Sequence, residues 1–474
     1  MQDTRMTDII YDYFTSRILS GYYVHGDRLP SISYICRHFQ VSALTVRAVF
    51  SKMKEQNYIE TSERKAATVI YTPVKQSEQQ YLHYFLTHKD GMEDIARFSG
   101  IIFDPVNSLC FQEQKHETVK RIHSQIRKTN GHAAKRITRF YAEITQQFDN
   151  PLLLNLYWEI VRYLRIPYMR TPSDFDDADQ QVSVHYDRLL NLFKNGQADE
   201  AAREAQHFHE NLLKEFLGQL SKLPDKCPPA EQVPFRWHIY RKRPQICYTL
   251  AAEILSKINL NIYRQEEFLP SCQELAQEYE VSPITMRRTL ELLGKMRVTE
   301  SVNGIGTKIV SRRNRDAPNF SLPQIQANLK IFLQALQICT LTCRNAAVHT
   351  FSSLDAAGFQ KLSGQIQRHI DENTLYLLGD TCLQFLGQNS PSALIRETYR
   401  QLYKLLLWGH ALHVFFHRLE SSDFYTEYAG RLQRELRLKN AEGLADAVSD
   451  HVAKSYEVCK ELFVQLGIEQ ERLT

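Results

Sequence analysis

The chain has 474 residues, of which 43% are hydrophobic and 24% charged, an ordinary composition for two to four soluble globular domains. Its 58 basic and 54 acidic residues give a net charge of +4, which excludes a wholly basic, histone-like protein but not a local basic surface. The first residues lack the apolar core of a signal peptide and no stretch is apolar enough to span a membrane, so we expect a cytoplasmic protein.

The chain begins with an amphipathic helix, since apolar residues recur at helical spacing from about residue 7 until Gly21. Leu29-Pro30-Ser31 then predicts an extended dipeptide followed by an N-cap serine, which starts a short second helix that ends near Phe39. After a tight turn, Ser42 caps a longer third helix. This order is typical of a helix-turn-helix.

Two short segments follow the third helix. Residues 58–62 and 67–71 alternate apolar and polar side chains, as the strands of a hairpin do. We therefore predict a winged helix-turn-helix domain over residues 1–75, in which the hairpin is the wing.

The residues that follow, 76–222, contain few glycines and many helical periods, such as Leu152, Leu156, Ile160 and Leu164. No convincing run of alternating strand residues occurs in them, so they predict an all-helical bundle. The segment 223–245 is rich in proline and is predicted to be a linker.

An internal repeat begins after this linker, at a constant offset of 240 residues. Leu269-Pro270-Ser271 repeats Leu29-Pro30-Ser31, and Val281-Ser282 repeats Val41-Ser42. We predict a second winged helix-turn-helix domain over 246–312 and a second helical bundle over 324–474. The fold class is therefore mainly α, with four domains in the order small, large, small, large.

Positive charge is concentrated in the two small modules. Residues 1–75 carry 10 Lys and Arg against 7 Asp and Glu, and residues 241–315 carry 13 against 8, so the net charges are +3 and +5. A recognition helix inserts its first turn into the major groove, where Arg binds guanine or phosphate, so we expect duplex DNA as the partner. The alternative is a winged helix that contacts proteins. The predicted DNA-binding residues are Arg28, Ser31, Ser42, Thr45, Arg47, Arg64, Lys65, Ser271, Ser282, Thr285, Arg287, Arg288, Gly304, Gly306 and Thr307.

The small modules resemble the DNA-binding domain of the GntR family of bacterial transcription regulators. The family's Gly-Asp-x-Leu-Pro-Ser and Val-Ser-x-x-Thr-x-Arg patterns are present at 26–31 and 41–47, and the Gly-x-Gly of its wing at 304–306. The first wing has Arg64-Lys65-Ala66 instead. The resemblance implies a transcription regulator, and the differences between the copies predict that they read different half-sites.

The helical modules resemble, more loosely, the ligand domain of the FadR-like group of that family. Its Phe-His, Asn-Pro, turn and later His pattern is matched by Phe140-Tyr141, Asn150-Pro151, Asn195-Gly196-Gln197 and His207 or His209. Many members of the group hold a metal ion through one Asp and three His, but the first His is here Tyr141, and Thr381 in the second copy. This implies that the metal site is lost or rebuilt.

No cofactor is therefore expected to be required, and we favour surface or core histidines over metal ligands. The weak candidates for a metal site are His185, His207, His209, His410, His413, His417 and His451. Nine scattered cysteines without a CxxC pair suit a reducing compartment, and Cys339 and Cys343, four residues apart, favour helix packing over metal or redox chemistry.

These patterns lead to one main hypothesis and two alternatives. The chain is expected to be a sequence-specific transcription regulator, a repressor, whose duplication lets a single chain mimic a homodimer on an asymmetric operator. An unidentified small-molecule effector in the helical domains would modulate its DNA affinity, and further oligomerisation stays open. The alternative is a non-catalytic ligand-binding or scaffolding protein that has lost DNA binding. An enzyme is disfavoured because the chain lacks a nucleophile elbow, a P-loop, a Rossmann fingerprint and a zinc-protease motif.

Overall fold

The computed structural model divides into two compact units, Met1–Lys242 with Ser392–Glu397 and Arg472–Thr474, and Arg243–Pro391 with Thr398–Glu471. The residues that the structure describes are 6–19, 23, 25–39, 41–62, 66–72, 78–113, 124, 133–164, 184–185, 187–189, 191–192, 195–222, 232–239, 246–259, 262–264, 267–310, 323–410, 412 and 422–467.

The first winged helix-turn-helix domain has the predicted element order. Its elements are α1 (Met6–Leu19), α2 (Ile32–Phe39), α3 (Ala43–Glu55), β1 (Ile59–Glu60) and β2 (Thr68–Val69). The two strands are antiparallel, with Ile59 opposite Val69 and Glu60 opposite Thr68. The apolar faces of the three helices and the wing meet in one core, formed by Ile10, Phe14, Ile18, Leu29, Ile35, Val46, Val49, Phe50, Met53, Ile59, Ala67 and Val69.

The first helical domain follows, and α-helices account for its secondary structure among the described residues. Its helices are α4 (Glu78–Glu113), α5 (Ala133–Gln146), α6 (Pro151–Leu164) and α7 (Ala198–Leu220). The long helix α4 packs along α7, and it continues through Pro105.

A buried charged side chain lies where the winged domain meets this bundle. The guanidinium of Arg17, on α1, lies 3.4 Å from the ring centre of Tyr13 and 4.4 Å from that of Trp158 on α6. Arg17 and Trp158 are each only 3% exposed. Stacking on two rings and donation to the Tyr13 carbonyl give the buried cation partners that it needs away from water.

Part of the predicted linker packs as an extended segment against the same bundle. Within residues 232–239, the backbone N–H of Val233 donates to the Thr87 carbonyl at 2.7 Å, and the Val233 carbonyl accepts from the Tyr163 hydroxyl. The indole N–H of Trp237 donates to the side-chain oxygen of Asn155 at 2.8 Å. This portion of the proline-rich segment is therefore held by specific contacts.

The second winged domain repeats the first and has a longer wing. Its elements are α8 (Ile246–Asn259), α9 (Cys272–Glu278), α10 (Pro283–Lys295), β3 (Thr299–Val302) and β4 (Gly306–Ile309). The strands pair antiparallel from Thr299 opposite Ile309 to Val302 opposite Gly306. Gly304, in the turn, has a φ of +77°, a backbone conformation that glycine adopts without steric cost.

The second helical domain is likewise all-α among the described residues. Its helices are α11 (Pro323–Ser352), α12 (Ala356–Asp371), a short 3-10 helix (Leu375–Leu377), α13 (Leu378–Asn389), α14 (Ala393–Leu406), α15 (Ser422–Leu438) and α16 (Ala441–Gln465). The longest contact is between α11 and α16. Cys339 and Cys343 are fully buried on α11, and burial raises the pKa of the Cys343 thiol to about 12, in keeping with a packing role.

Serine side chains determine where the short helices begin. The Ser271 hydroxyl accepts from the backbone N–H of Glu274 at 3.2 Å, while the Glu274 carboxylate accepts from the Ser271 N–H at 2.8 Å. This capping box satisfies two backbone donors that a helix start otherwise leaves without partners. In the first copy Ser31 accepts from the N–H of Tyr34, which has no carboxylate to complete the box.

Removing the Ser271 hydroxyl tests this role. We expect Ser271→Ala to destabilise α9 locally by about 1 kcal/mol, because the amide of Glu274 loses its acceptor. Hydrogen–deuterium exchange of peptides that cover 272–278 should then become roughly five-fold faster. Ser301→Ala, at an exposed position of the wing, is the control, and equal exchange in the two variants would contradict the capping role.

Candidate nucleic-acid interface

The two recognition helices, α3 and α10, begin with the same serine cap. The Ser42 hydroxyl accepts from the backbone N–H of Thr45, and the Ser282 hydroxyl accepts from that of Thr285, both at 3.2 Å. The threonine hydroxyls also lie at hydrogen-bonding distance from the cap serines, at 3.0 Å and 2.9 Å. These four predicted DNA-binding residues therefore have a structural role in fixing the first helical turn.

The cap and the helical period decide which side chains face outward. In α3 the buried residues are Val46, Val49, Phe50 and Met53, on the face that packs against the domain core. The opposite face exposes Leu44, Arg47, Ala48 and Ser51. These four positions follow the spacing of one helix face, so they form a continuous surface.

The same positions of α10 are exposed but differ in chemistry. They are Ile284, Arg287, Arg288 and Glu291. The predicted contacts Arg47, Arg287 and Arg288 thus lie on the outward face. The first helix presents one charge on this face, and the second presents three.

Three of the predicted wing residues belong to the part of the chain that the structure describes. Gly304 and Gly306 are exposed and Thr307 is half-buried, in the turn and first residues of the second wing. Arg64 and Lys65 lie outside the described residues. Arg28 is exposed and is bridged to Thr68 of the first wing, so it sits where the wing meets the chain before α2.

Three polar side chains meet inside the first helical domain. Asp104 of α4 lies beside Tyr141 of α5, and its carboxylate Oδ1 is 3.7 Å from Nδ1 of His209 on α7. Tyr141 is buried and donates to the Ala205 carbonyl; burial and the Asp104 charge raise its pKa well above the usual value. Asp104 was not predicted from the sequence, because it comes from a different helix.

His185 is also buried, and its ring lies flat on an aromatic side chain. Its ring stacks on Phe208 with 3.7 Å between centres and 6° between planes. Burial, with the nearby Arg188 charge, lowers the pKa of His185 to about 3. At neutral pH the imidazole is therefore uncharged, and its 3.6 Å approach to Glu204 is not an ion pair. His207 is exposed on α7.

The second helical domain contains a cavity of about 90 Å³. Its polar wall includes Asp380 and His410, whose Oδ2 and Nε2 atoms are 3.2 Å apart, and also His451. His451 stacks on Tyr428 with 4.0 Å between ring centres. His413 and His417 lie outside the described residues. The apolar wall is formed by Phe332, Leu336, Leu383, Leu406, Leu412, Val452 and Val458.

The described part of the chain brings no three His, Cys, Asp or Glu side chains into an arrangement that could hold a metal ion. Within the same residues, no helix has the length and apolarity to cross a membrane. Among the described candidates, His185 and His451 stack on aromatic rings, and His209 and His410 each approach a carboxylate.

The fold and the outward faces of α3 and α10 define a class of protein: two winged helix-turn-helix domains, each followed by an all-helical domain. Comparison with protein families gives a match to "Bacterial regulatory proteins, gntR family" at residues 7–69 and again at 248–309. The chain therefore carries two copies of the GntR-family domain, one in each winged helix-turn-helix region.

Solved structures similar to this chain include Streptococcus agalactiae GntR, with 20% identity and a TM-score of 0.19 over 44% of this chain and 99% of that one. E. coli McbR/YncC has 14% identity and a TM-score of 0.23 over 46% and 98%. The "putative transcriptional regulator GntR from Rhodococcus sp. RHA1" has 14% identity and a TM-score of 0.22 over 45% of this chain and 97% of that one. A search of curated proteins gave no match.

The buried His185 predicts a pH dependence of stability. Because its pKa is about 3 when folded and about 6.5 when unfolded, only the unfolded chain takes up this proton as the pH falls below 6.5. Stability is therefore lost toward acid, by about 2 kcal/mol between pH 7 and pH 5 from this group. In His185→Phe, urea unfolding at the two pH values should show that much less difference.

The control for this comparison is Gln206→Phe, which adds an aromatic ring at an exposed position of α7. It should keep the pH dependence of the unaltered chain. If His185→Phe and the unaltered chain lose equal stability between pH 7 and pH 5, the buried neutral state of His185 is wrong.

Proposed function

We propose that this protein is a cytoplasmic repressor of transcription in which one chain supplies both halves of what is a homodimer in simpler relatives. The observation that carries this proposal is the repeated recognition helix, with the same serine cap, buried residues at three matching positions and exposed residues at all four outward positions. A dimer of helix-turn-helix domains binds two half-sites, and two such domains in one chain satisfy the same requirement.

The operator is proposed to be asymmetric. Where the first recognition helix exposes Ala48 and Ser51, the second exposes Arg288 and Glu291. Arg binds guanine O6 and N7 or neutralises phosphate, whereas Glu accepts from the N4 amino group of cytosine. The two helices therefore present different donors and acceptors to the bases, so their half-sites differ in sequence.

The cavity of the second helical domain is proposed as the effector site. A volume of about 90 Å³ is several times the roughly 10–15 Å³ that one water molecule needs by the same measure, which leaves room for a small organic ligand. The wall is mainly apolar with a few polar groups, the usual composition of a ligand pocket. This supports an effector with a small apolar body.

A direct contact from the cavity wall to the second winged domain supports coupling between effector and DNA. The side-chain amide of Asn259, the last residue of α8, donates to the His410 carbonyl at 2.9 Å and lies 3.2 Å from His410 Nδ1. Tyr376, also in the wall, donates its hydroxyl to the Asn259 carbonyl. A ligand that moves His410 or Tyr376 therefore shifts the end of α8, and a difference in affinity between two such positions is what allostery requires.

Binding to duplex DNA separates this proposal from a scaffolding protein that has lost DNA binding. We expect selection from random duplexes to recover a non-palindromic site, whose affinity falls steeply as salt is added because Lys and Arg displace counterions. Arg47→Ala and Arg287→Ala should each weaken binding about 10- to 100-fold, through different half-sites. Fluorescence anisotropy against duplexes with one half-site scrambled measures this.

Arg203→Ala, an exposed position of α7 outside the winged domains, is the matched control and should bind as the unaltered chain does. A perfectly palindromic site with equal losses for Arg47→Ala and Arg287→Ala would contradict the asymmetric operator. No salt-dependent affinity for any duplex would favour the scaffolding alternative. Repression is measured with a reporter gene downstream of the selected site. Activation of that gene would contradict the proposed role as a repressor.

Filling the cavity tests the effector site. Val458→Trp places a large ring in the wall of the cavity, so the effector found in a ligand screen should no longer change DNA affinity, while affinity without effector stays within about two-fold. Val464→Trp, on the exposed side of the same helix, is the control and should respond normally. An unchanged response of Val458→Trp would place the effector elsewhere.

A further inference from the structure

Each recognition helix exposes an aliphatic side chain at its second residue. Leu44 is 78% exposed and Ile284 is 64% exposed. Single exposed apolar residues are common on protein surfaces and by themselves need no explanation. Here the same kind of residue occupies the same position of both copies, 240 residues apart, although other positions of the two outward faces have diverged.

The backbone at this position is fixed. The Ser42 cap holds the N–H of Thr45, and the Ser42 carbonyl accepts from the N–H of Val46 at 3.3 Å. The Ser282 carbonyl likewise accepts from the N–H of Met286 at 3.1 Å. Leu44 and Ile284 therefore project from an ordered first turn, the part of a recognition helix that meets the base edges.

The surroundings of each aliphatic residue suit a groove in DNA better than a protein surface. One turn along the same face lies an exposed arginine, Arg47 in one copy and Arg287 in the other. An isolated aliphatic side chain beside a cation lacks the extended apolar patch of a protein-docking site. In the major groove the base edges are polar except for the 5-methyl group of thymine.

We propose that Leu44 and Ile284 each pack against the 5-methyl group of a thymine, so that both half-sites carry a T·A pair at the corresponding position. The inference rests on the proposed binding of duplex DNA by both winged domains. It adds one shared base to an operator that is otherwise asymmetric. It also assigns base recognition to two residues whose side chains cannot form hydrogen bonds.

Deoxyuridine provides the test, because it keeps the hydrogen-bonding groups of thymine and lacks only the methyl group. Starting from the selected duplex, each thymine of the footprint is replaced singly by deoxyuridine, and Kd is measured for the full-length chain. We expect one position in each half-site at which the replacement weakens binding roughly four-fold, the effect of leaving one methyl group unburied.

The variants Leu44→Ala and Ile284→Ala connect each position to its side chain. In Leu44→Ala the thymine and deoxyuridine duplexes should bind equally at one position, while the preference at the other stays intact, and Ile284→Ala should show the reverse. Alanine favours the helix, so folding is preserved. Leu438→Ala, an exposed aliphatic position outside the winged domains, should leave both preferences unchanged.

The outcomes separate this inference from the function on which it rests. A chain that binds a selected duplex but is indifferent to deoxyuridine at every position overturns the thymine contact and leaves DNA binding intact. A preference that persists in both Leu44→Ala and Ile284→Ala overturns it as well. A chain that selects no duplex refutes the proposed function, and the thymine contact with it.

Discussion

The third backbone N–H of each recognition helix donates a hydrogen bond to a serine hydroxyl, and the outward surface of the helix depends on this contact. Ser42 and Ser282 set the residue at which α3 and α10 begin, and the 3.6-residue period then assigns every later position to the core or to solvent. Val46 and Met286 become fully buried, whereas Arg47 and Arg287 next to them become exposed. A helix that began one residue later would rotate this face by about 100°.

Both halves contain this winged helix-turn-helix. They differ in the contacts between the winged domain and the helical domain that follows it. In the first half, the winged domain contacts its helical domain through the Arg17 guanidinium on Trp158. In the second, the contact is a set of hydrogen bonds between Asn259 and His410. A cation stacked on a ring constrains direction less than hydrogen bonds of 2.9 and 3.2 Å do.

The candidate metal-binding histidines have surroundings that differ from those that the family resemblance implies. At the place where the resemblance expects a first metal-binding histidine, Tyr141 lies with Asp104 and His209, and in the second domain Asp380 pairs with His410. Among the described residues, each group offers a carboxylate and one imidazole close to it, whereas a structural metal site uses four ligands. In the second domain the pair lines a cavity, so the same residue types there suit a small-molecule site.

The order of domains, the helix-turn-helix, both wings and the helix starts followed from the sequence, because caps, turns and hydrophobic periods act over a few residues. The same local signals gave Arg47, Arg287 and Arg288 as outward residues. They did not predict the position of Asp104, the contacts of Trp237 or the cavity around Asp380 and His410. Those depend on helices far apart in the chain, and a single sequence does not state which distant faces will pack together. Local chemistry thus determined the two recognition helices, and only tertiary packing decided the polar groups and the cavity inside the helical domains.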